Sequence, residues 1–209
     1  MVNILKYMLI GYAFGIIPVA YIICKINGVD IYHEGSGNPG STNVGRILGK
    51  KWGTIAFILD IVKTLIPICI TLIIFYKTND MYNRANIILY TGLGSVIGHI
   101  FPITMKFKGG KGVACTFAVI LFFSPIYGLS LFIFQKIITK TTHIVSLASI
   151  LALLLMIISA LVLSIFQIYP FNFINSIDMC IPIGLMSLIC IIMHKDNIKR
   201  LLTNTENKV

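Results

Sequence analysis

The sequence predicts an all-α polytopic membrane protein with seven transmembrane helices and a functional site built from polar loops on one membrane face. Three observations carry that prediction. Of 209 residues, 57% are apolar and only 11% charged, with a mean hydropathy of +0.92, whereas a soluble domain carries about 25% charged residues. Apolar runs long enough to cross a bilayer recur along the chain. Between them lie three short polar stretches, 35–46, 106–114 and 194–202, which set Gly, Asn, Ser, Lys and Arg beside lipid, where unpaired polar groups are costly.

A span needs about 20 apolar residues to cross the ~30 Å hydrocarbon core. The first run, 4–24, lacks a small-residue cleavage site and continues straight into the first polar stretch, so it reads as a retained helix and not a signal peptide. Runs 52–76, 86–105 and 143–166 follow, and 178–193 is a shorter fifth. Residues 112–140 as one straight helix would be roughly 43 Å long at ~1.5 Å per residue, too long without strong tilt. The sequence Ser124-Pro125-Ile126-Tyr127-Gly128 predicts a break there, with two short helices of about 12 residues each.

Whether those halves cross the membrane or dip in and return, residues 112 and 140 end on the same side. Counted as two, they are the short fourth and fifth of seven spans, and all three polar stretches share one face with the C-terminus. That face then holds thirteen Lys and Arg residues against Lys6, Lys77 and Arg84 opposite, which orients it to the cytoplasmic side of its membrane. The net charge of +10 is therefore chiefly topology, with anionic substrate as a second cause. Nucleic acid is disfavoured, because the basic residues are not interleaved with exposed aromatics. Five cysteines without CxxC spacing read as small buried hydrophobes, not disulfides or metal ligands. Residues 1–209 read as a single membrane domain.

The first stretch sets Gly35, Gly37 and Gly40 among Ser36, Asn38, Ser41, Thr42 and Asn43, and ends at Arg46. Such a loop can aim backbone N–H groups inward, with Arg46 as a rigid fork for phosphate or carboxylate. In the second, Lys108, Gly109, Gly110, Lys111 and Gly112 precede a helix expected from Val113, an arrangement suited to an anion at a helix N-terminus. It is no Walker A loop, since the glycine expected five residues before Gly110 is Met105. In the third, a helix would place His194, Asn197 and Arg200 on one face, able to orient and neutralise a phosphorylated substrate. Lys195, Lys199 and Lys208 read as contacts to anionic lipid. Within the second span Asp60 and Lys63, three residues apart, would pair or reach into the polar site. His99 would face the site or cap a helix, whereas His33 and His143 suggest no role.

These stretches resemble the three motifs of the bacterial acyl-phosphate:glycerol-3-phosphate acyltransferases, the PlsY family. Segments 11–21, 59–63, 99–102 and 146–149 extend the likeness over essentially the whole chain, in order. Two positions depart from the pattern: Ile16 where the family often has Ser, and Asn204 where it usually has Gly. The resemblance implies seven spans with the motifs on the cytoplasmic face. It implies transfer of a fatty acyl group from acyl phosphate to the 1-hydroxyl of sn-glycerol 3-phosphate, giving lysophosphatidate and phosphate, the first acylation of phospholipid synthesis. By motif, Ser36, Asn38, Thr42, Asn43 and Arg46 would bind and orient substrate, Lys108 to Gly112 would cradle phosphate, and His194 and Asn197 would position glycerol 3-phosphate. Glu206 would orient the basic side chains, with Arg200 beside it and Asp60, Lys63 and His99 in support. The enzyme that makes acyl phosphate becomes a natural partner. No cofactor or metal is expected.

An acyl phosphate is an activated mixed anhydride, so catalysis needs mainly positioning and charge stabilisation. Three proton or acyl routes stand: His194 as base, a substrate phosphate oxygen as base, or an acyl-Ser36 intermediate, though no base adjoins Ser36 in sequence. Each His is followed five residues on by Asn38, Thr104, Ala148 or Lys199 and never by Asp, which argues against His/Asp acyltransferases that use acyl-CoA or acyl-carrier donors. A transporter of small anions is the rival class, since helix N-termini and broken helices serve transporters too. Against it, the polar stretches gather on one face and no inverted repeat is visible. A scaffold without activity leaves the three stretches unexplained.

Overall fold

The computed structural model describes residues 2–76, 81–172 and 176–208; Lys77, counted above for topology, lies outside them. Among the described residues every regular element is helical. Ten α-helices run in order: α1 (Val2–Gly15), α2 (Val19–Ile26), α3 (Ser41–Leu48), α4 (Lys50–Phe75), α5 (Met81–Ile100), α6 (Val113–Phe123), α7 (Pro125–Thr142), α8 (Val145–Ile165), α9 (Cys180–Ile192) and α10 (Lys195–Leu202). Four segments are long and apolar enough to cross a membrane: Ile4–Ile26, Lys50–Phe75, Tyr82–Met105 and Val145–Ile165. A fifth arises if Ser176–Ile192 and Lys195–Leu202, bent by 55° at His194, are joined.

The break within 112–140 falls at Ser124, one residue before Pro125, and the halves are unequal: α6 has 11 residues and α7 has 18. Proline takes the first position of α7, where its missing N–H costs nothing, and the Ser124 hydroxyl caps that turn by accepting from the Tyr127 N–H. Gly128 therefore lies inside a helix. It is a contact point instead, since a Cβ there would strike the α6 backbone at Leu121.

The first run is not one uninterrupted helix. Pro18 divides α1 from α2, and the carbonyls freed by the break are taken up from other helices: Thr104 Oγ1 donates to Ile16 (3.0 Å) and Lys63 Nζ to Ile17 (2.8 Å). This is how a broken helix is tolerated at membrane depth.

α1 packs most extensively on α5, through small residues on both helices: Gly11 and Gly15, four apart on α1, against Ser95 and Gly98, three apart on α5. The Ser95 hydroxyl donates to the Gly11 carbonyl at 3.1 Å. A Cβ at Gly94 would run into the Met8 carbonyl. Gly94→Leu is accordingly expected to lower stability by about 3 kcal/mol, read as a reduced melting temperature in detergent, and Gly184→Leu, where a Cβ meets nothing, to leave it nearly unchanged.

The apolar core gathers α5, α6, α8 and α9 around Leu89, Ile120, Met156, Phe171 and Met186. Cys24, Cys115 and Cys190 are buried as expected, but Cys69 is exposed on α4 and Cys180 is half-buried. An apolar thiol on the outer surface of a hydrophobic helix has no reason to hide when that surface faces lipid.

Candidate functional site

α3, α6 and α8 begin at one cavity of about 230 Å³. Gly40, Ser41 and Thr42 belong to the first helix start, Gly112, Val113 and Ala114 to the second, and Val145 and Ser146 to the third. None of the three starts has a side-chain cap. The opening N–H groups of a helix have no acceptor within it, and the macrodipole makes that end positive. Three such ends around one space make a strong anion environment before any side chain is counted.

The first polar stretch is part loop and part helix, correcting the expectation of a loop throughout. Residues 35–40 turn, and Thr42, Asn43 and Arg46 stand on α3. Asn43 is fully buried and holds the turn: its Oδ1 accepts from the Ser36 N–H (2.8 Å), and its Nδ2 donates to the carbonyls of Glu34 (3.1 Å) and Ile31 (3.4 Å). That amide braces the loop from within, and Asn43 also lines the cavity. Ser36, Asn38, Thr42 and Arg46 remain on the cavity wall.

The second stretch divides between Gly110 and Lys111. Lys108 is exposed and off the cavity, its carbonyl accepting from the Tyr32 hydroxyl at 2.7 Å. The N–H groups of Gly109 and Gly110 donate to the carbonyls of Ile100 (3.0 Å) and His99 (3.1 Å) at the end of α5. The expectation that these three residues cradle phosphate is corrected: the glycines allow a tight approach to α5, where a Cβ on either would collide with His99. Lys111 and Gly112 are left to face the cavity. Gly112 has φ +80°, and a side chain there would meet Ile100 and the Cys190 sulfur, so only glycine starts α6 at this place.

The third stretch supports Lys111. The Lys111 ammonium donates to Asn197 Oδ1, Asn197 Nδ2 donates to Glu206 Oε1 (2.9 Å) and Arg200 Nε to Glu206 Oε2 (3.0 Å). Asn197 is thus a bracket for Lys111 and not itself on the cavity wall. Glu206 reaches back because Asn204 adopts the left-handed conformation, φ 55°, with the Thr205 N–H bonded to the Arg200 carbonyl; the departure from the family's glycine is thereby absorbed. Burial, reinforced by Arg200 and Arg46, lowers the Lys111 pKa to about 8 despite Glu206.

His194 is buried on the cavity wall, its Nδ1 2.8 Å from the Cys190 carbonyl. A carbonyl only accepts, so Nδ1 carries the proton and Nε2 is the free lone pair. Burial lowers its pKa to about 4, with the Cys190 carbonyl opposing and Lys111 adding to the fall. His194 is therefore neutral at neutral pH. Since Lys111 must be charged to hold an anion, kcat/KM for an anionic substrate is expected to fall about tenfold per unit above pH 8. Lys111→Arg, whose charge persists, should move that limb upward in a pH–rate profile; an unmoved limb would assign it elsewhere.

Asp60 and His99 also line the cavity, and with Lys63 they form a buried cluster. Lys63 Nζ lies 2.9 Å from Asp60 Oδ1, 3.0 Å from His99 Nδ1 and 2.8 Å from the Ile17 carbonyl. Asp60, His99 and Cys115 offer atoms close enough to share a metal ion, a grouping that residue spacing does not reveal. Lys63 already supplies the positive charge at Asp60 and His99, so these residues do not fit a metal centre. His33 pairs with Asp30 at 2.8 Å on the surface and His143 ends α7. The cavity also has residues absent from the sequence-based site: Gln135, Lys136 and the aromatic pair Phe117 and Phe132. Ser146 and Ser149 were visible only as part of the 146–149 likeness.

A family model described as glycerol-3-phosphate acyltransferase matches residues 5–204. The glycerol-3-phosphate acyltransferase of Aquifex aeolicus is 39% identical over 201 residues, covering 96% of both chains. That of Thermosipho melanesiensis is 39% identical over 199 residues, 95% of this chain and 89% of the relative. Crystal structures of PlsY (YgiH), an integral membrane glycerol 3-phosphate acyltransferase, superpose closely. The glycerol 3-phosphate form gives a TM-score of 0.80 at 37% identity, with 99% of this chain and 95% of that chain covered. The lysophosphatidic acid form gives 0.77 at 37%, with 98% and 94% covered.

Proposed function

Starting from the fact that this chain belongs to the glycerol-3-phosphate acyltransferase family of integral membrane proteins, we propose that it moves a fatty acyl group from acyl phosphate to the 1-hydroxyl of sn-glycerol 3-phosphate, releasing lysophosphatidate and phosphate. The observation that carries this reading is the convergence of three uncapped helix N-termini with Arg46 and Lys111 on one cavity. Two phosphate-bearing substrates need that much positive potential in one space, and an acyl chain needs the aromatic wall beside it.

In this reading Arg46, Lys111 and the starts of α3 and α6 hold glycerol 3-phosphate, and Ser36, Asn38 and Thr42 orient it. His194 Nε2 accepts a hydrogen bond from the attacking hydroxyl. With a pKa of about 4 it is a weak base at neutral pH, which favours a substrate phosphate oxygen as the proton's destination. The hydroxyl oxygen bonds to the acyl carbon, the acyl–oxygen bond of the mixed anhydride breaks, and its electron pair leaves on phosphate. Asn197, Arg200, Glu206 and the Asp60–Lys63–His99 cluster keep the binding groups in place.

The finer topology belongs to the same reading: one domain over 1–209, seven spans with α6 and α7 as the short fourth and fifth, and the site facing the cytoplasm of a bacterial inner membrane. Lysine-rich ends on one face support it. The enzyme that makes acyl phosphate is the upstream partner, because a mixed anhydride hydrolyses if it must wait. Offered palmitoyl phosphate and palmitoyl-CoA in parallel, the protein in lipid should use the first and ignore the second. Preference for the thioester would refute the donor assignment.

A further inference from the structure

Glycerol 3-phosphate carries two hydroxyls, and the chemistry above engages one of them. The cavity is rich in donors: Ser36, Asn38, Thr42, Arg46, Lys111 and the helix starts all offer N–H or O–H groups. Donors suit a phosphate, but the proton of an alcohol needs an acceptor. His194 Nε2 serves the attacking hydroxyl, which leaves the second without one. Among the described residues that line the cavity, Asp60 is the one carboxylate.

Its capacity to accept is unspent. Asp60 is 2% exposed, and its Oδ1 has no hydrogen-bond partner. Lys63 Nζ stands 2.9 Å from that oxygen and balances its charge, but the ammonium directs its hydrogen bonds to the Ile17 carbonyl (2.8 Å) and to His99 Nδ1 (3.0 Å). A ring nitrogen that accepts from Lys63 holds no proton, so His99 Nδ1, 3.4 Å from Asp60, has none to give it. Glu206, by contrast, is off the cavity wall and taken up by Asn197 and Arg200. A buried carboxylate oxygen without a donor is costly, and at a cavity wall a ligand hydroxyl removes that cost.

We propose that the Asp60 carboxylate accepts a hydrogen bond from the hydroxyl of glycerol 3-phosphate that is not acylated, and so makes the site selective for a diol phosphate over a simple alcohol phosphate. The phosphate rests on Arg46 and Lys111, the 1-hydroxyl on His194 and the 2-hydroxyl on Asp60. Held at three points, the glycerol backbone presents its 1-hydroxyl to the acyl carbon in one orientation. This rests on the glycerol 3-phosphate reading above and adds how the accepting alcohol is recognised.

The test uses the full protein in lipid, with acyl phosphate as donor and two accepting alcohols: glycerol 3-phosphate, and 3-hydroxypropyl phosphate, which keeps the phosphate and the primary hydroxyl but lacks the 2-hydroxyl. Wild type should favour glycerol 3-phosphate about a hundredfold in kcat/KM, because the analogue leaves the carboxylate without its donor. In Asp60→Asn that preference should shrink to about tenfold or less, through a larger loss with glycerol 3-phosphate than with the analogue. A merely structural role would lower both alike and keep the ratio, and that result would overturn the assignment. Wild type that uses the two alcohols equally well would overturn it outright. Asn197→Ala, which weakens the phosphate grip common to both alcohols, should lower both and keep the preference; a lost preference there too would take the selectivity away from Asp60. Asp60→Asn strands the Lys63 ammonium, so if it fails to fold, Lys63→Met/Asp60→Asn decides by the same criteria. Wild-type protein that acylates neither alcohol from acyl phosphate would instead overturn the functional reading beneath.

Discussion

Lys111→Ala and Arg46→Ala are each expected to cut glycerol 3-phosphate-dependent turnover by about a hundredfold to a thousandfold, in protein that remains folded in the membrane. Both side chains line the cavity, and neither supports the apolar core. Lys111 is more demanding than a surface lysine: it is fixed by Asn197, which is fixed by Glu206, which is fixed by Arg200. Removing the bracket while keeping the ammonium should therefore have a smaller effect in the same direction, so Asn197→Ala should fall between wild type and Lys111→Ala. The measurement is steady-state kinetics alongside thermal unfolding in detergent. Near-normal rates in both charge-removing variants would take the site away from this cavity.

Lys63→Met should be the most destabilising polar substitution, costing about 3–5 kcal/mol. Lys63 and Asp60 are 5% and 2% exposed. Without the ammonium, the buried Asp60 carboxylate keeps only the His99 ring, 3.4 Å away, and the Ile17 carbonyl at the α1–α2 break loses the Lys63 donor. The double variant Lys63→Met/Asp60→Asn removes the stranded charge and should recover part of the loss, leaving the cost of the open carbonyl. Equal melting temperatures for wild type and Lys63→Met would show that the cluster is not holding the break together.

Much of this was written in the sequence because membrane helices and helix starts are local features. Run length and hydropathy located α4, α5 and α8, and Gly112-Val113 announced the start of α6. The Asp60–Lys63 pair followed from i, i+3 spacing and the cost of charge in lipid. What escaped was tertiary. No spacing rule says that Gly109 and Gly110 give their N–H groups to α5, that Asn43 is spent on its own loop, or that Asn197 serves Lys111. The α1–α2 break was legible in Pro18, but its acceptance depends on Lys63 and Thr104 arriving from other helices. Gln135 and Lys136 gave no site signal because they belong to no motif, and Ser146 showed only within the 146–149 likeness. They reach the cavity only because α7 folds back on α8.

The central claim is that one cavity brings two phosphate substrates together for direct acyl transfer. Purified protein in lipid, given palmitoyl phosphate and glycerol 3-phosphate, with phosphate and lysophosphatidate followed together, tests it most directly. One phosphate released for each lysophosphatidate formed, and none without glycerol 3-phosphate, is the predicted result. Protein that binds glycerol 3-phosphate yet forms neither product would contradict it, and would make the cavity a carrier's binding site for an organic phosphate.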